Sequence, residues 1–323
     1  MTRETILVTG ATGFIGSHVV GALLSQGAYP ILVIVRKNRN DEKIEALKQK
    51  GVTVAEGEFY DPILLEKMFQ EYSIRHVIHL AALRGAGGGT WEDYYEVNVR
   101  GTETLLEASW SHNVKKFIYC SSVGVYGTVP PDCPATLDTP LNGDNHYHSS
   151  KIQAEKKVQE FIQKGLDAYI LRPTITYGRG HTGFPKSLAS LVRKRMFLLP
   201  PNDVKIHLLS VSALSDLVTK MVDTDSTGQR IFVVADEEPI SLKELVHLIY
   251  FHYYKVSYPS FLKIPKPFIR FLVSAVQLSR NEKWLTRLLL ISKSWRYDIH
   301  ETIQAFQYVP ARTRDSFIES LRI

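Results

Sequence analysis

Apolar residues in this chain fall in short continuous runs: Ile6-Leu7-Val8, Ile31-Leu32-Val33-Ile34-Val35, Val52-Thr53-Val54, His76-Val77-Ile78-His79-Leu80, Lys116-Phe117-Ile118-Tyr119, Ala168-Tyr169-Ile170-Leu171 and Ile231-Phe232-Val233-Val234. Such runs are too short for helices, and a strand that is apolar on both sides belongs to a sheet covered on both faces. Stretches of helical periodicity, such as Ser17 to Leu24, separate them. The alternation predicts an α/β fold, a doubly wound parallel sheet of about seven strands in which six follow the order 3-2-1-4-5-6. The seventh, near residues 229–235, returns to extend the sheet.

The pattern changes after Gly178, where Gly180, Gly183, Pro185, Pro200 and Pro201 punctuate loops. This divides the chain into a sheet domain over 1–178, plus the returning strand, and a smaller α/β lid over 179–323. In the lid, Phe268 to Leu278 predicts a helix on which Arg270, Ser274 and Gln277 form a polar stripe at i, i+4 and i+7. At about 11 residues it falls short of the roughly 20 that span a bilayer, so no transmembrane segment is expected. Basic residues flank this helix and the neighbouring Trp284 to Leu290, which leaves two readings open: attachment to a membrane surface, or packing within the lid or against a second copy. A last amphipathic helix is expected over Ile299 to Phe306, ahead of Pro310.

Composition narrows the class. With 323 residues, 44% hydrophobic and 22% charged, the chain buries a sizeable core in one large or two modest domains. Cys120 and Cys133 are its two cysteines, too few for a disulfide framework and consistent with a reduced, cytoplasmic protein. The first strand begins within five residues of Met1, which argues against a secretory leader. A net charge of +6 suits a phosphorylated partner as well as plain solubility, and no basic block of the nucleic-acid type appears. No metal site is expected.

Two constellations carry chemistry. Directly after the first strand comes Thr9-Gly10-Ala11-Thr12-Gly13-Phe14-Ile15-Gly16, leading into a helix. Gly10, Gly13 and Gly16 allow a tight turn, close backbone approach to a diphosphate and close packing of helix on strand; Thr12, Phe14 and Ile15 lie in the same turn. The helix start offers N–H groups and positive dipole to the phosphates. At the end of the second strand stand Arg36 and Lys37 rather than a carboxylate, which points to a 2′-phosphate and so to NADP(H), leaving NAD(H) open. The second constellation is Ser122 followed 25 residues later by Tyr147-His148-Ser149-Ser150-Lys151. Tyr147 and Lys151 lie one helical turn apart and share a face. Among 16 tyrosines roughly one such spacing arises by accident, so the position after Ser122 is what gives it weight.

In ordered segments along most of its length the chain resembles the extended short-chain dehydrogenase/reductases of the NAD-dependent epimerase/dehydratase family. The segments are the glycine turn, Glu58-Phe59-Tyr60-Asp61, His79-Leu80-Ala81-Ala82, Asn98-Val99-Arg100-Gly101-Thr102, Ser121 to Gly127, Tyr147 to Lys151 and Leu171-Arg172-Pro173. The resemblance implies a Rossmann domain over 1–178 with a substrate-binding lid. It further implies that Glu58 and Phe59 line the adenine site, that Leu80, Ala81, Ala82 and Pro173 lie along the cofactor, and that Asn98 supports the sheet and active site. Tyr147 is implied as general acid/base, Lys151 as ribose ligand and modifier of the phenol, and Ser122 as the group orienting the substrate oxygen. A phenol lowered by about 3 units requires roughly 4 kcal/mol, which an ammonium about 4 Å away supplies at an effective dielectric of about 20. A homodimer through the helices that lead from Asn98 and Tyr147 is also implied.

Departures bear on the substrate. Glu58 stands where the family usually has Asp. Val123-Gly124 follows Ser122 in place of the acidic pair of nucleotide-sugar 4,6-dehydratases, which disfavours dehydration. Ile175 replaces a frequent asparagine, and Lys205-Ile206-His207 lacks the usual diphosphate-binding arginine. Substrate contacts are expected at Arg84, Ser122, Val123, Tyr177 and Lys205, with His207 and Arg179 as further phosphate ligands; Arg84 opens the glycine-rich run Gly85 to Gly89, a gate or a solvent loop. The expected reaction is hydride transfer at a secondary alcohol or ketone of a sugar or sugar nucleotide, by a ketoreductase or dehydrogenase in preference to an epimerase. The alternatives are an NADP-dependent enzyme for an apolar substrate of 3β-hydroxysteroid or dihydroflavonol type, with Phe184, Phe197, Tyr253, Tyr254 and Phe268 lining its pocket, and a non-catalytic NAD(P)-sensing protein.

Overall fold

In a computed structural model describing residues 4–36, 41–84, 89–225, 227–259, 261–278 and 282–321, the seven apolar runs form one sheet. Its strands are β1 (Thr5–Thr9), β2 (Ile31–Val35), β3 (Thr53–Glu56), β4 (Ile74–His79), β5 (Lys116–Cys120), β6 (Ala168–Pro173) and β7 (Ile231–Val234). All pairs are parallel, and the order across the sheet is β7-β6-β5-β4-β1-β2-β3.

Alternation of side chains along each strand feeds two cores. Leu7, Leu32, Ile34, Val77, Phe117 and Ile170 pack on one face with Leu65 and Met68 of helix Pro62–Glu71, Leu105 of helix Gly101–Ser111, and Ala154 and Val158 of helix His146–Gln163. Ile6, Val8, Val33, Val35, Ile78 and Ile118 face the other way, onto Val19, Val20 and Leu23 of helix Phe14–Gln26 and Leu214, Leu217 and Val218 of helix Val211–Asp223. The sheet layers therefore draw elements from beyond Gly178 as well as before it.

A third core gathers helix Phe184–Arg193, helix Leu242–Tyr254, Trp295 and Phe317 around the segment after β5, including Val123 and Tyr126. Short strands tie it down: Ile175–Tyr177 runs parallel to Leu208–Ser210, and Lys205–Ile206 antiparallel to Ile240–Ser241. The expected amphipathic pair is present as helices Lys266–Leu278 and Glu282–Ser292, packed on one another. The helix expected over Ile299 to Phe306 runs His300–Phe306 and ends at Gln307 in the left-handed conformation, φ 46°, and a short helix Thr313–Ser316 follows it. Among the described residues no helix is long and apolar enough to cross a membrane.

Candidate active site

Where β1 ends, Gly10 turns with φ +74°, and a Cβ there would lie 2.7 Å from the Ala81 nitrogen at the end of β4. A Cβ on Gly16 would lie 2.1 Å from the Gly10 carbonyl oxygen. Only glycines permit this approach of helix, turn and neighbouring strand. Helix Phe14–Gln26 follows with Gly13 as its N-cap and no side chain capping it, so its start is left to a ligand or to water.

The loop after β4 is fixed from below. The Thr102 hydroxyl donates to the Asn98 carbonyl at 2.6 Å and so accepts from His79 Nε2 at 3.0 Å. His79 Nδ1 accepts the Thr9 hydroxyl at 2.7 Å, and the Thr9 oxygen takes the Ala81 N–H at 3.2 Å. This sequence of bonds suits a neutral imidazole, and burial holds His79 well below its ordinary pKa. Asn98, in a π-helical stretch Tyr95–Arg100, clamps Leu83 through both its N–H (2.7 Å) and its carbonyl (3.0 Å) and donates to the Ser150 hydroxyl at 2.9 Å. One amide thus fixes the β4 loop to the helix that carries Tyr147 and Lys151.

That helix, His146–Gln163, starts where the Asn145 side chain accepts the His148 N–H at 2.9 Å. His148 bonds Asp144 at 2.5 Å and packs over Gly124, where a Cβ would come within 2.4 Å of its ring. On the β5 side, Ser122 Oγ accepts the Gly124 N–H at 3.0 Å. Below it, Glu155 and Arg172 form a buried ion pair (3.0 Å to Nε, 2.6 Å to Nη2), with Ser121 donating to Glu155 and Arg172 Nη1 to the Tyr126 oxygen.

Lys151 is almost fully buried, donating to the Cys120 carbonyl at 2.8 Å and the Tyr119 oxygen at 3.1 Å. Burial pushes its ammonium down to about 8. Burial pushes the Tyr147 phenol up; the Arg84 guanidinium and, more weakly, the Ser122 hydroxyl pull it back. The sequence suggested Lys151 as the cation acting on this phenol. In this structure Lys151 is engaged by the end of β5, and the Arg84 guanidinium also bears on the phenol.

A cavity of about 560 Å³ collects most of the expected residues. Gly10, Thr12, Gly13, Phe14, Ile15, Gly16, Arg36, Glu58, Phe59, Leu80, Ala81, Ala82 and Pro173 line it together with Ser122, Tyr147 and Lys151. Of the expected substrate residues, Arg84 and Val123 line it as well, while Tyr177 and Lys205 do not. The Tyr177 hydroxyl donates to Asp236 at 2.7 Å and meets Ser316, and Lys205 pairs with Asp203 at 3.8 Å. His207 is buried, its Nε2 on the Asp236 carbonyl and its Nδ1 on the Tyr297 N–H, which leaves no free nitrogen for a phosphate. Lys37 and residues 85–88 lie outside the described residues.

Of the five aromatics proposed for the pocket, Phe184 lines the cavity, Phe197 is buried in the third core and Phe268 faces solvent. Thr286, Leu290, Trp295 and Tyr297 close the far wall, a contribution the sequence reading did not find.

Residues 6–221 match the profile of the NAD dependent epimerase/dehydratase family. The chain belongs to that family. Similar proteins include the UDP-glucose 4-epimerase of Bacillus subtilis, 38% identical over 205 residues covering 58% of this chain and 59% of that one. The human UDP-glucose 4-epimerase is 34% identical over 197 residues, 56% of each chain, and that of Erwinia amylovora 37% identical over 165 residues, 49% of each. The chain spans about half the length of the curated relatives it matches.

Solved structures agree in fold over nearly the whole chain. UDP-glucose 4-epimerase from Thermotoga maritima with UDP-glucose gives a TM-score of 0.77 at 20% identity, covering 99% of both chains. The Bordetella bronchiseptica enzyme WbmH in complex with NAD+ gives 0.75 at 20% identity, covering 99% of this chain and 97% of that one.

The dinucleotide that the epimerase/dehydratase family implies fits the residues present here. Backbone rather than side chains surrounds the turn at Gly10 and Gly16, the helix start beyond Gly13 is uncapped, and apolar Phe59 and Leu80 stand beside the polar Arg36 and Glu58.

Proposed function

We propose that the protein moves hydride at a secondary alcohol or ketone of a sugar or sugar nucleotide, with NADP(H) as cofactor and Ser122, Tyr147 and Lys151 as its catalytic groups. The observation that carries this reading is that all three line one cavity with the glycine turn at Gly10 to Gly16.

Arg36, exposed at the end of β2 and lining the same cavity, supports the 2′-phosphate. The cofactor contacts proposed are those of the cavity wall from Gly10 to Pro173, with Lys37 beside Arg36 and Asn98 acting through Leu83. Arg84 and Val123 are the proposed substrate contacts. A homodimer through the helices leading from Asn98 and Tyr147 completes the proposal.

When bound, the nicotinamide supplies the carbon that gives or accepts hydride. Burial keeps the Tyr147 phenol protonated, ready to donate to a carbonyl oxygen. Ser122, whose oxygen accepts the Gly124 N–H and whose hydroxyl bonds the Tyr147 phenol, donates to the same oxygen once substrate is bound. An ammonium has three donors; Lys151 uses two on Tyr119 and Cys120, and the third is available to a ribose hydroxyl. In a ketoreductase the proton leaves with the product alcohol. In an epimerase Tyr147 would take the hydroxyl proton as the carbon gives up hydride, and return it to the same oxygen when hydride comes back to the opposite face of the ketone.

The similarity to UDP-glucose 4-epimerases supports the epimerase form of this chemistry, and Arg36 the exchanging reductase. Mass spectrometry of the nucleotide released on denaturation, with titration of the emptied protein by NADPH and NADH, separates them. The expected result is an exchangeable site that binds NADPH more tightly. Stoichiometric retained NAD would overturn the NADP assignment and leave the epimerase, and full turnover by Tyr147→Phe would overturn the catalytic assignment.

A second reading, an apolar hydroxyl or keto substrate, is supported by the wall of Ile175, Phe184, Leu290 and Trp295. Assaying steroid and flavonoid ketones beside UDP-sugars decides between the two.

A further inference from the structure

Residues 251–296 contain nine Lys and Arg and one Glu, a local balance of +8 in a chain whose total is +6, so the remainder is net negative. On the same stretch large apolar side chains stand in solvent: Phe261 is 81% exposed and Phe271 66%, with Val256, Phe268 and Trp284 also exposed. Scattered apolar residues on a surface are ordinary; a contiguous patch marks an interaction site.

Backbone bonds and helix packing link the segments that carry them. The Leu199 N–H donates to the Leu262 carbonyl at 2.9 Å and the Ile264 N–H to the Leu199 carbonyl at 2.8 Å, which joins the segment carrying exposed Met196 and Leu198 to the one carrying Phe261. Arg195 lies 4.2 Å from the ring centre of Tyr254 and Arg193 5.4 Å from that of Tyr253, adding two cations from helix Phe184–Arg193 and its end. Helix Lys266–Leu278 exposes Phe268, Phe271 and Ala275 at i, i+3 and i+7 and packs on helix Glu282–Ser292. The latter turns Trp284 and Arg287 outward and Thr286 and Leu290 to the cavity, so the patch backs onto the proposed active site.

We propose that this basic, aromatic face docks the protein on the surface of an anionic lipid bilayer, with helix Lys266–Leu278 lying in the interface. Its 13 residues extend about 20 Å, well short of the roughly 30 Å of a hydrocarbon core, so the helix lies along the membrane rather than across it. Aromatic side chains reach the headgroup boundary, while Lys255, Lys263, Lys266 and Lys293 meet the negative surface potential. Charge complementarity selects this occupant: a symmetric contact between two copies would press one basic surface against another.

The test is flotation of the full chain with phosphatidylcholine vesicles, with and without phosphatidylglycerol, read by bound fraction and independent of turnover. Binding is expected to the anionic vesicles and to weaken with added salt. Phe268→Ser with Phe271→Ser is expected to weaken it roughly tenfold or more per side chain, and Lys263→Gln with Lys266→Gln about fivefold per charge. Both pairs are exposed and outside the cavity, so unchanged melting and dinucleotide binding verify that the variants are folded. Absence of binding to anionic vesicles at low salt overturns the proposal, as does equal binding by the folded variants. Self-association abolished by the Phe substitutions without vesicle binding assigns the face to a second copy, and capture of an acidic protein without vesicle binding assigns it to a protein partner; each result overturns lipid docking.

Discussion

Replacing Glu155 by Gln preserves the outline of the side chain and removes the charge opposite Arg172. Glu155 is fully buried and the Arg172 side chain is 4% exposed, so the orphaned guanidinium has no route to water. The contacts at stake are Nε at 3.0 Å, Nη2 at 2.6 Å and the Ser121 hydroxyl at 2.5 Å. Breaking a buried pair from one side costs about 3–5 kcal/mol. At roughly 2–4 °C per kcal/mol for a chain of this size, thermal unfolding by circular dichroism is expected to move down by about 6–20 °C. Glu155→Met with Arg172→Met removes both charges and is expected to cost less than Glu155→Gln alone, because the desolvation penalty goes with them. A Gln variant melting within about 2 °C of the wild type would refute the reasoning.

Gly16→Ala places a Cβ 2.1 Å from the Gly10 carbonyl; overpacking of this kind predicts a roughly ten- to hundredfold loss of dinucleotide affinity by calorimetry, and undiminished affinity would sink the cradle. Arg84→Leu removes the cation that pulls the Tyr147 phenol down, so the rise of alcohol oxidation with pH is expected at higher pH than in the wild type; a superimposable profile counts against Arg84. Asp236 is buried with no cation beside it among the described residues, and its carboxyl is pushed up to about 6 by desolvation. The folded state therefore holds this proton more tightly than the unfolded chain, and the group's contribution to stability is full below about pH 4 and lost as pH rises through about 6, on the order of 3 kcal/mol. Urea unfolding across that window is expected to show the slope in the wild type and a flatter one in Asp236→Asn; equal slopes would exclude Asp236 as its source.

The sheet was legible because its strands are buried on both faces, so continuous apolar runs such as Ile31–Val35 have few other uses. The glycine turn and the Tyr147–Lys151 spacing were legible because short-range geometry fixes both, while Ser122 was reached only through its position in the chain. Side-chain direction beyond the sheet was not. Ile175 and Thr176 line the cavity while Tyr177, next along the same strand, turns to Asp236. Trp295 and Tyr297 reach the far wall through isolated bridges to Ile206 and Ala135, pairings between distant segments that no local pattern encodes. The Lys151 anchor left a fainter mark: Tyr119-Cys120 at the end of β5 directly precedes Ser121-Ser122, and the strand's parallel neighbours fix where its last carbonyl falls.

The protonation state of the site follows from its burial rather than from its motif. Desolvation favours the neutral form of both groups, raising Tyr147 and lowering Lys151 to about 8. The buried charges beneath them, Glu155 and Arg172, pair with each other, and the Arg84 guanidinium is a cation that pulls the phenol back down. In the proposed reaction a phenol held protonated is already a proton donor, so ketone reduction would need no preparatory loss of a proton. Oxidation does need it, and the same residues then act from the less favoured ionisation state. The two directions are therefore expected to have opposite pH dependences, with reduction declining where oxidation rises, and the pH at which they cross depends on Arg84, which the Tyr-Lys spacing alone does not reveal.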